Sequence, residues 1–271
     1  MKTDKMWIIK ETSKCPKLKN AIFIAGLPGI GNVGKITADF LVDELKAKEI
    51  YKINSFYFPH SVFINEESIL ELPTVFLNVV KSGAKTSRDI IFLTGDIQPM
   101  EEQASYEFCD KILELVTNMG CTEIITVGGI GLPGEPKHPH VYGVATDKKT
   151  LQRWKKIDKH IRFKDNKAAT IVGATGLLLG IGKLRGLNGI SLLCETVGHP
   201  YHLGLKEATE VLKIIKNPLK LKVDLNKIKN EIKKSEIEQS EKAKESHEGV
   251  LMKKLKRLSG DQSSSDTSYI G

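Results

Sequence analysis

The sequence is short of cysteine. Only Cys15, Cys109, Cys121 and Cys194 occur in 271 residues, with no C-x-x-C pair and no histidine at ligand spacing. A disulfide framework or a structural metal site is therefore not expected. The four read as free thiols, buried or half-buried, in a reducing cytoplasmic setting. Long apolar runs are missing too, and none approaches the roughly 18 residues of a membrane helix. The stretch Met6 to Lys10 is too short for a signal-peptide core. No G-x-S-x-G occurs, so a hydrolytic triad has no support. Nor is charge of one sign concentrated. The net charge is +8, from 41 basic and 33 acidic residues. Residues 218–271 hold 12 basic and 9 acidic of these, and residues 1–217 hold 29 and 24. A nucleic-acid binder carries a dense basic footprint. This spread predicts neither a nucleic-acid nor a membrane partner.

What is present is an alternation of β-rich runs and helical periods. Ala21 to Ala25 is apolar at every position and reads as a buried strand. Val33, Ile36, Phe40, Leu41 and Leu45 fall at helical spacing within a helix expected over Val33–Lys48. Further strands are expected at 50–58, 61–64, 68–72, 74–80, 89–94, 123–127, 140–145, 168–172 and 190–194. Helices are expected at 101–119, 148–160 and 203–216, the first closed by Gly120 and the last by Asn217-Pro218. Alternation of this kind predicts an α/β fold with helices on both faces. The consecutive strand signals between 50 and 80 spoil a pure βαβ pattern, so the sheet should be mixed.

Composition divides the chain in three. Residues 1–217 form an α/β body. Residues 218–258 form a charged extension with helical apolar stripes, among them Leu251, Leu255 and Leu258. Residues 259–271 form a Ser/Asp/Gly tail of the flexible type, ending Tyr269-Ile270-Gly271.

The most prominent motif is Gly26-Leu-Pro-Gly29-Ile-Gly31-Asn-Val-Gly34, which contains G-x-G-x-x-G between a strand and a helix. Glycines there let backbone approach a phosphate. The acidic residue that should end the next strand and hold a ribose is absent. Gly34-Lys35-Ile36 also fails the P-loop pattern. Two more glycine clusters follow strand ends, Gly128 to Gly134 and Gly173 to Gly182. Loops after the carboxyl ends of strands converge on one edge of an α/β sheet. Gly29, Gly31, Gly34, Gly129, Gly131 and Gly176 are thus candidates for a ligand pocket or a crowded interface. The histidines His138, His140, His199 and His202 lack the acidic pair that would favour a metal. Asp96 is read as a turn or cap residue.

Five ordered motifs carry a resemblance: Gly26–Gly34, Thr94-Gly-Asp-Ile-Gln-Pro99, Gly128–Gly131, Gly173–Gly180 and Cys194-Glu-Thr196. Over about residues 20–216 the chain resembles the archaeal proteasome assembly chaperone family, related to a eukaryotic chaperone of the proteasome α-ring. The resemblance implies a mixed α/β fold like that of purine nucleoside phosphorylases. It implies an ATP-independent, non-enzymatic chaperone without cofactor, a homo-oligomer that binds proteasome α-subunits or the α-ring. Members with docking tails end hydrophobic–tyrosine–any residue. Here Tyr269 is third from the end and Ser268 precedes it, so either Tyr269, Ile270 and Gly271 dock in a variant register or this chain does not use its tail as a tether. The competing expectation is a nucleoside- or phosphate-handling enzyme that uses the glycine loops. It would need an arginine at those loops, and Arg88, Arg153, Arg162 and Arg185 all lie outside them.

Overall fold

The strand Ala21–Ala25 is apolar throughout because both of its faces are covered. In the computed structural model, which describes residues 3–4, 6–163, 170–199, 202–228 and 230, every one of its five residues is buried. In chain order the elements are β1 (Thr3–Asp4), β2 (Trp7–Glu11), β3 (Ala21–Ala25), α1 (Val33–Leu45), β4 (Lys48–Ser55), β5 (Phe63–Ile64) and β6 (Leu70–Glu71). There follow β7 (Val75–Val80), β8 (Ile90–Gly95), α2 (Glu102–Asn118), β9 (Cys121–Leu132), β10 (Val141–Ala145), α3 (Lys148–Ile157), α4 (Ala174–Leu184), β11 (Asn188–Val197) and α5 (Leu205–Lys216). One sheet runs β1-β2-β4-β7-β8-β3-β9-β11-β10, and β5-β6 form a separate hairpin. Strands β8, β3, β9 and β11 are parallel, and the flanking strands pair antiparallel. The sheet is mixed, as the sequence predicts.

Helices cover both faces. On one, α2 and α4 bury Phe108, Ile112, Leu113, Leu178 and Leu179 against the sheet. On the other, α1 and α5 bury Phe40, Leu41, Val211, Leu212 and Ile215. Each such side chain contributes about 1.5–3 kcal/mol relative to exposure. Helix α3 packs on the β10 side through buried Trp154. Its N-terminus is capped by Asp147, which accepts a hydrogen bond from the Thr150 N–H at 2.8 Å.

Several expected boundaries shift for local reasons. Helix α1 ends at Leu45 rather than Lys48 because Lys46 takes a left-handed conformation (φ 54). Gly120 (φ +94) turns the chain after α2, as expected of a helix-closing glycine. The expected strand at 168–172 is not seen over Thr170–Val172, which leads directly into α4, and residues 168–169 lie outside the described residues. The Gly173–Gly182 cluster is mostly α4 itself. Strand β2 is held by Trp7, buried and stacked on Phe108 with centroids 5.8 Å apart.

Residues 218–228 pack on the body. Leu219, Leu221, Val223 and Ile228 are buried beside α5, and Leu219 O accepts from Ser87 N at 3.0 Å. The chain divides into two units, Met1–Ile228 and Lys229–Gly271. Apart from Asn230, the second unit lies outside the described residues, and with it the Leu251–Leu258 stripe and Tyr269–Gly271.

Candidate functional site

Three segments meet at the carboxyl ends of the parallel strands: the Gly26–Gly34 loop after β3, the Gly128–Gly131 stretch within β9, and the Gly173 turn that opens α4. Between them lies a crevice of about 890 Å³. Gly29, Gly34, Gly129 and Gly131 line it, with Leu27 and Leu177 among the apolar walls. Ile30, Met100, Tyr106 and Val172 stand at its mouth with large exposure, from 49% at Ile30 to 89% at Val172. Gly31 and Gly176 do not line it.

The glycines are there for close packing. A side chain at Gly34 would meet the Val127 carbonyl oxygen at 2.5 Å, and one at Gly129 would meet that of Ile30 at 2.3 Å. The start of α1 thus rests directly on β9. Gly31 has φ +62, and a Cβ there would come within 2.4 Å of Thr196 Oγ1. The backbone fixes this loop further, since Gly204 N donates to Gly31 O at 2.8 Å. The buried Glu207 carboxylate below accepts from Thr196 Oγ1 at 3.0 Å and faces His202 Nε2 at 2.9 Å. Gly176 sits in the first turn of α4, where a Cβ would strike Ile171 O at 2.4 Å.

Gln98 is the residue that sequence reasoning passed over. Its amide nitrogen donates to Pro28 O at 2.7 Å, and its carbonyl oxygen accepts from Ala174 N at 3.0 Å. One side chain therefore ties the first glycine loop to the N-terminus of α4. Its only signal was its place in Thr94–Pro99. Asp96 in the same motif does not cap α2; it ties the end of β8 to the start of β7, its carboxylate accepting from Thr74 N at 3.1 Å and its N–H donating to Thr74 O at 3.0 Å.

The crevice does not suit a phosphate. Among the described residues no arginine, lysine or histidine lines it, whereas Glu102 does. Lys35 turns away, donating to Gly95 O at 3.0 Å and pairing with Asp39 at 2.8 Å. The four arginines of the described residues are engaged elsewhere. Arg88 and Arg153 flank buried Glu123, Arg162 meets His140, and Arg185 pairs with Asp110. Among the described residues no group of three or more His, Cys, Asp or Glu is placed to hold a metal. What the crevice offers is an apolar, carboxylate-edged recess framed by rigid backbone, suited to an apolar group of another molecule.

Fold and site thus define a class: a mixed α/β protein with a largely apolar recess where α/β enzymes bind their ligands. The comparisons narrow it. The family model of the PAC2 family matches residues 23–243, and the chain belongs to that family. It is similar to the crystal structure of Pyrococcus furiosus PbaB, described as an archaeal proteasome activator. That match has 36% identity and a TM-score of 0.81, and it covers 88% of this chain and 98% of that one. The fold also matches Pyrococcus furiosus PbaA, an archaeal homologue of proteasome-assembly chaperone. There the TM-score is 0.74 at 23% identity, over 95% of this chain and 100% of that one. An uncharacterised Methanocaldococcus jannaschii protein is 29% identical over 192 residues, 71% of this chain and 72% of its own length.

Proposed function

We propose that this protein is an ATP-independent proteasome assembly chaperone or activator that binds proteasome α-subunits or the α-ring in the cytoplasm and performs no chemical step. The carrying observation is the 36% identity to PbaB across 88% of the chain. The body, of the purine nucleoside phosphorylase-like type, serves as a rigid platform. Residues 218–258, of which 218–228 pack on the body, serve as the charged helical extension, and Tyr269-Ile270-Gly271 act as the tether. A tyrosine brings a large apolar ring and a hydroxyl at small rotamer cost. Several tails on one assembly would add avidity without any new contact. The recess supports binding over catalysis, because its described lining carries Glu102 and no cation.

The test is capture of the tagged full chain from native extract of its source, read by mass spectrometry, beside a chain lacking Tyr269–Gly271. The expected result is recovery of proteasome α-subunits by the full chain and a loss of at least about tenfold on deletion. Absence of α-subunits from the full-chain eluate contradicts the role. Equal recovery by both chains contradicts the tether alone.

A further inference from the structure

The segment between β4 and β7 is folded yet covered by nothing described. In the β5–β6 hairpin Ile64 pairs with Leu70 and Phe63 with Glu71. Side chains alternate across a strand. Val62, Ile64, Leu70 and Leu72 therefore share one face, and they are 50%, 70%, 67% and 58% exposed. Phe63 and Ile69 are 45% and 54% exposed. The four that share a face expose on the order of 400 Å², within the range of the largest and often functional patch on a monomer.

The tip is ordered by its own hydrogen bonds. Asn65 Oδ1 accepts from Glu67 N at 3.0 Å and Ile69 N at 2.9 Å, and Asn65 Nδ2 donates to Glu71 Oε1 at 2.9 Å. A preorganised apolar face loses little further entropy on docking.

Its charge points to the occupant. Residues 56–74 contain Glu66, Glu67 and Glu71 and no lysine or arginine, in a chain of net charge +8. The opposite pattern stands on the far side of the same sheet. Residues 148–162, covering α3 and its exit, hold seven lysines and arginines against one aspartate. Lys149 and Lys156 stand exposed on this helix, away from buried Thr150 and Trp154, while Arg153 pairs with Glu123. Half-buried Leu151, Ile157 and Phe163 lie among the lysine stems, which themselves cover apolar surface. Between β7, which receives the hairpin, and β10, which carries α3, the sheet interposes β8, β3, β9 and β11. Five strand spacings amount to roughly 24 Å.

We infer that the β5–β6 hairpin of one protomer docks on the α3 face of a second copy of this chain. The contact joins two different patches, so it is heterologous. Repeated, it closes a ring or propagates, as the angle between copies dictates. It does not depend on the proposed proteasome role, and it would give that role several copies of the tether.

The test is the mass of the purified full chain by sedimentation velocity, at low and high salt. Wild type is expected to be an oligomer that weakens with salt. Ile64→Asp with Leu70→Asp, Glu66→Lys with Glu67→Lys, and Lys149→Glu with Lys156→Glu should each weaken self-association at least about tenfold. All these positions are exposed, so circular dichroism should match wild type. The two charge reversals placed in one chain should restore assembly to within about threefold, since each contact again joins opposite charges. A monomeric wild type overturns the inference, as does an oligomer indifferent to the hairpin variants, or a combined reversal that restores nothing. Hairpin variants that keep the oligomer but lose α-subunit binding would assign the face to the proteasome instead and equally overturn it.

Discussion

At the residue scale the polar groups inside the body are nearly all committed to structure. Asp89 is 2% exposed. Burial alone would raise its carboxyl, but the backbone N–H groups of Ser82 and Lys19, with Lys81 nearby, hold it below the ordinary aspartate value. Its stabilisation is complete above the unfolded value of about 4 and is lost as pH falls through the lower native value. Asp89→Asn should cost about 1–3 kcal/mol in urea unfolding at neutral pH, with the gap to wild type narrowing in acid. An unchanged midpoint at pH 7 would contradict this. The thiols behave alike. Burial pushes Cys109 up to about 12 and Cys121 up to about 11, and raises Cys194 as well. A thiol-disulfide reagent at pH 8 should therefore modify half-buried Cys15 well before the other three, with all four titrating only in denaturant.

At the element scale α4 shows what glycine is for. Gly176 and Gly180 occupy the same helix, yet a Cβ at Gly176 meets Ile171 O at 2.4 Å while one at Gly180 meets nothing within 4 Å. Gly176→Ala should destabilise by about 1–3 kcal/mol, and Gly180→Ala should stabilise by about 0.5–1 kcal/mol. Thermal unfolding of the pair reads both signs. The same helix marks where the sequence stopped being legible. β3, α1, α2, β9 and α5 showed in their periodicity because one feature, a buried face, set each pattern. In α4 Gly176 and Gly182 serve close approach to Ile171 and Ile124, and together with Gly180 they mask the helical signal. β2 rests on one indole rather than on alternation. The glycine loops were visible as candidates, and their convergence followed from strand order. That Gln98 ties two loops together depends on contacts across 70 to 76 residues of chain, and the tight seat of Gly31 depends on Thr196, still further along it. No local pattern encodes those.

At the scale of the whole molecule, two surfaces of the described body carry opposite charge although the composition is mixed. The acidic hairpin and the basic α3 stand on either side of the parallel strands. The crevice between the glycine loops keeps a ligand-site location, and among the described residues no Lys, Arg or His lines it. Membership of the PAC2 family and likeness to PbaB are what the proposed proteasome role rests on. The central claim is that the chain acts by binding the proteasome α-ring. The direct measurement is co-sedimentation of the purified full chain with isolated α-rings, without nucleotide. The account predicts that the chain travels with the rings at saturable stoichiometry and that ATP changes nothing. A chain that stays at the top of the gradient at every ring concentration would contradict it.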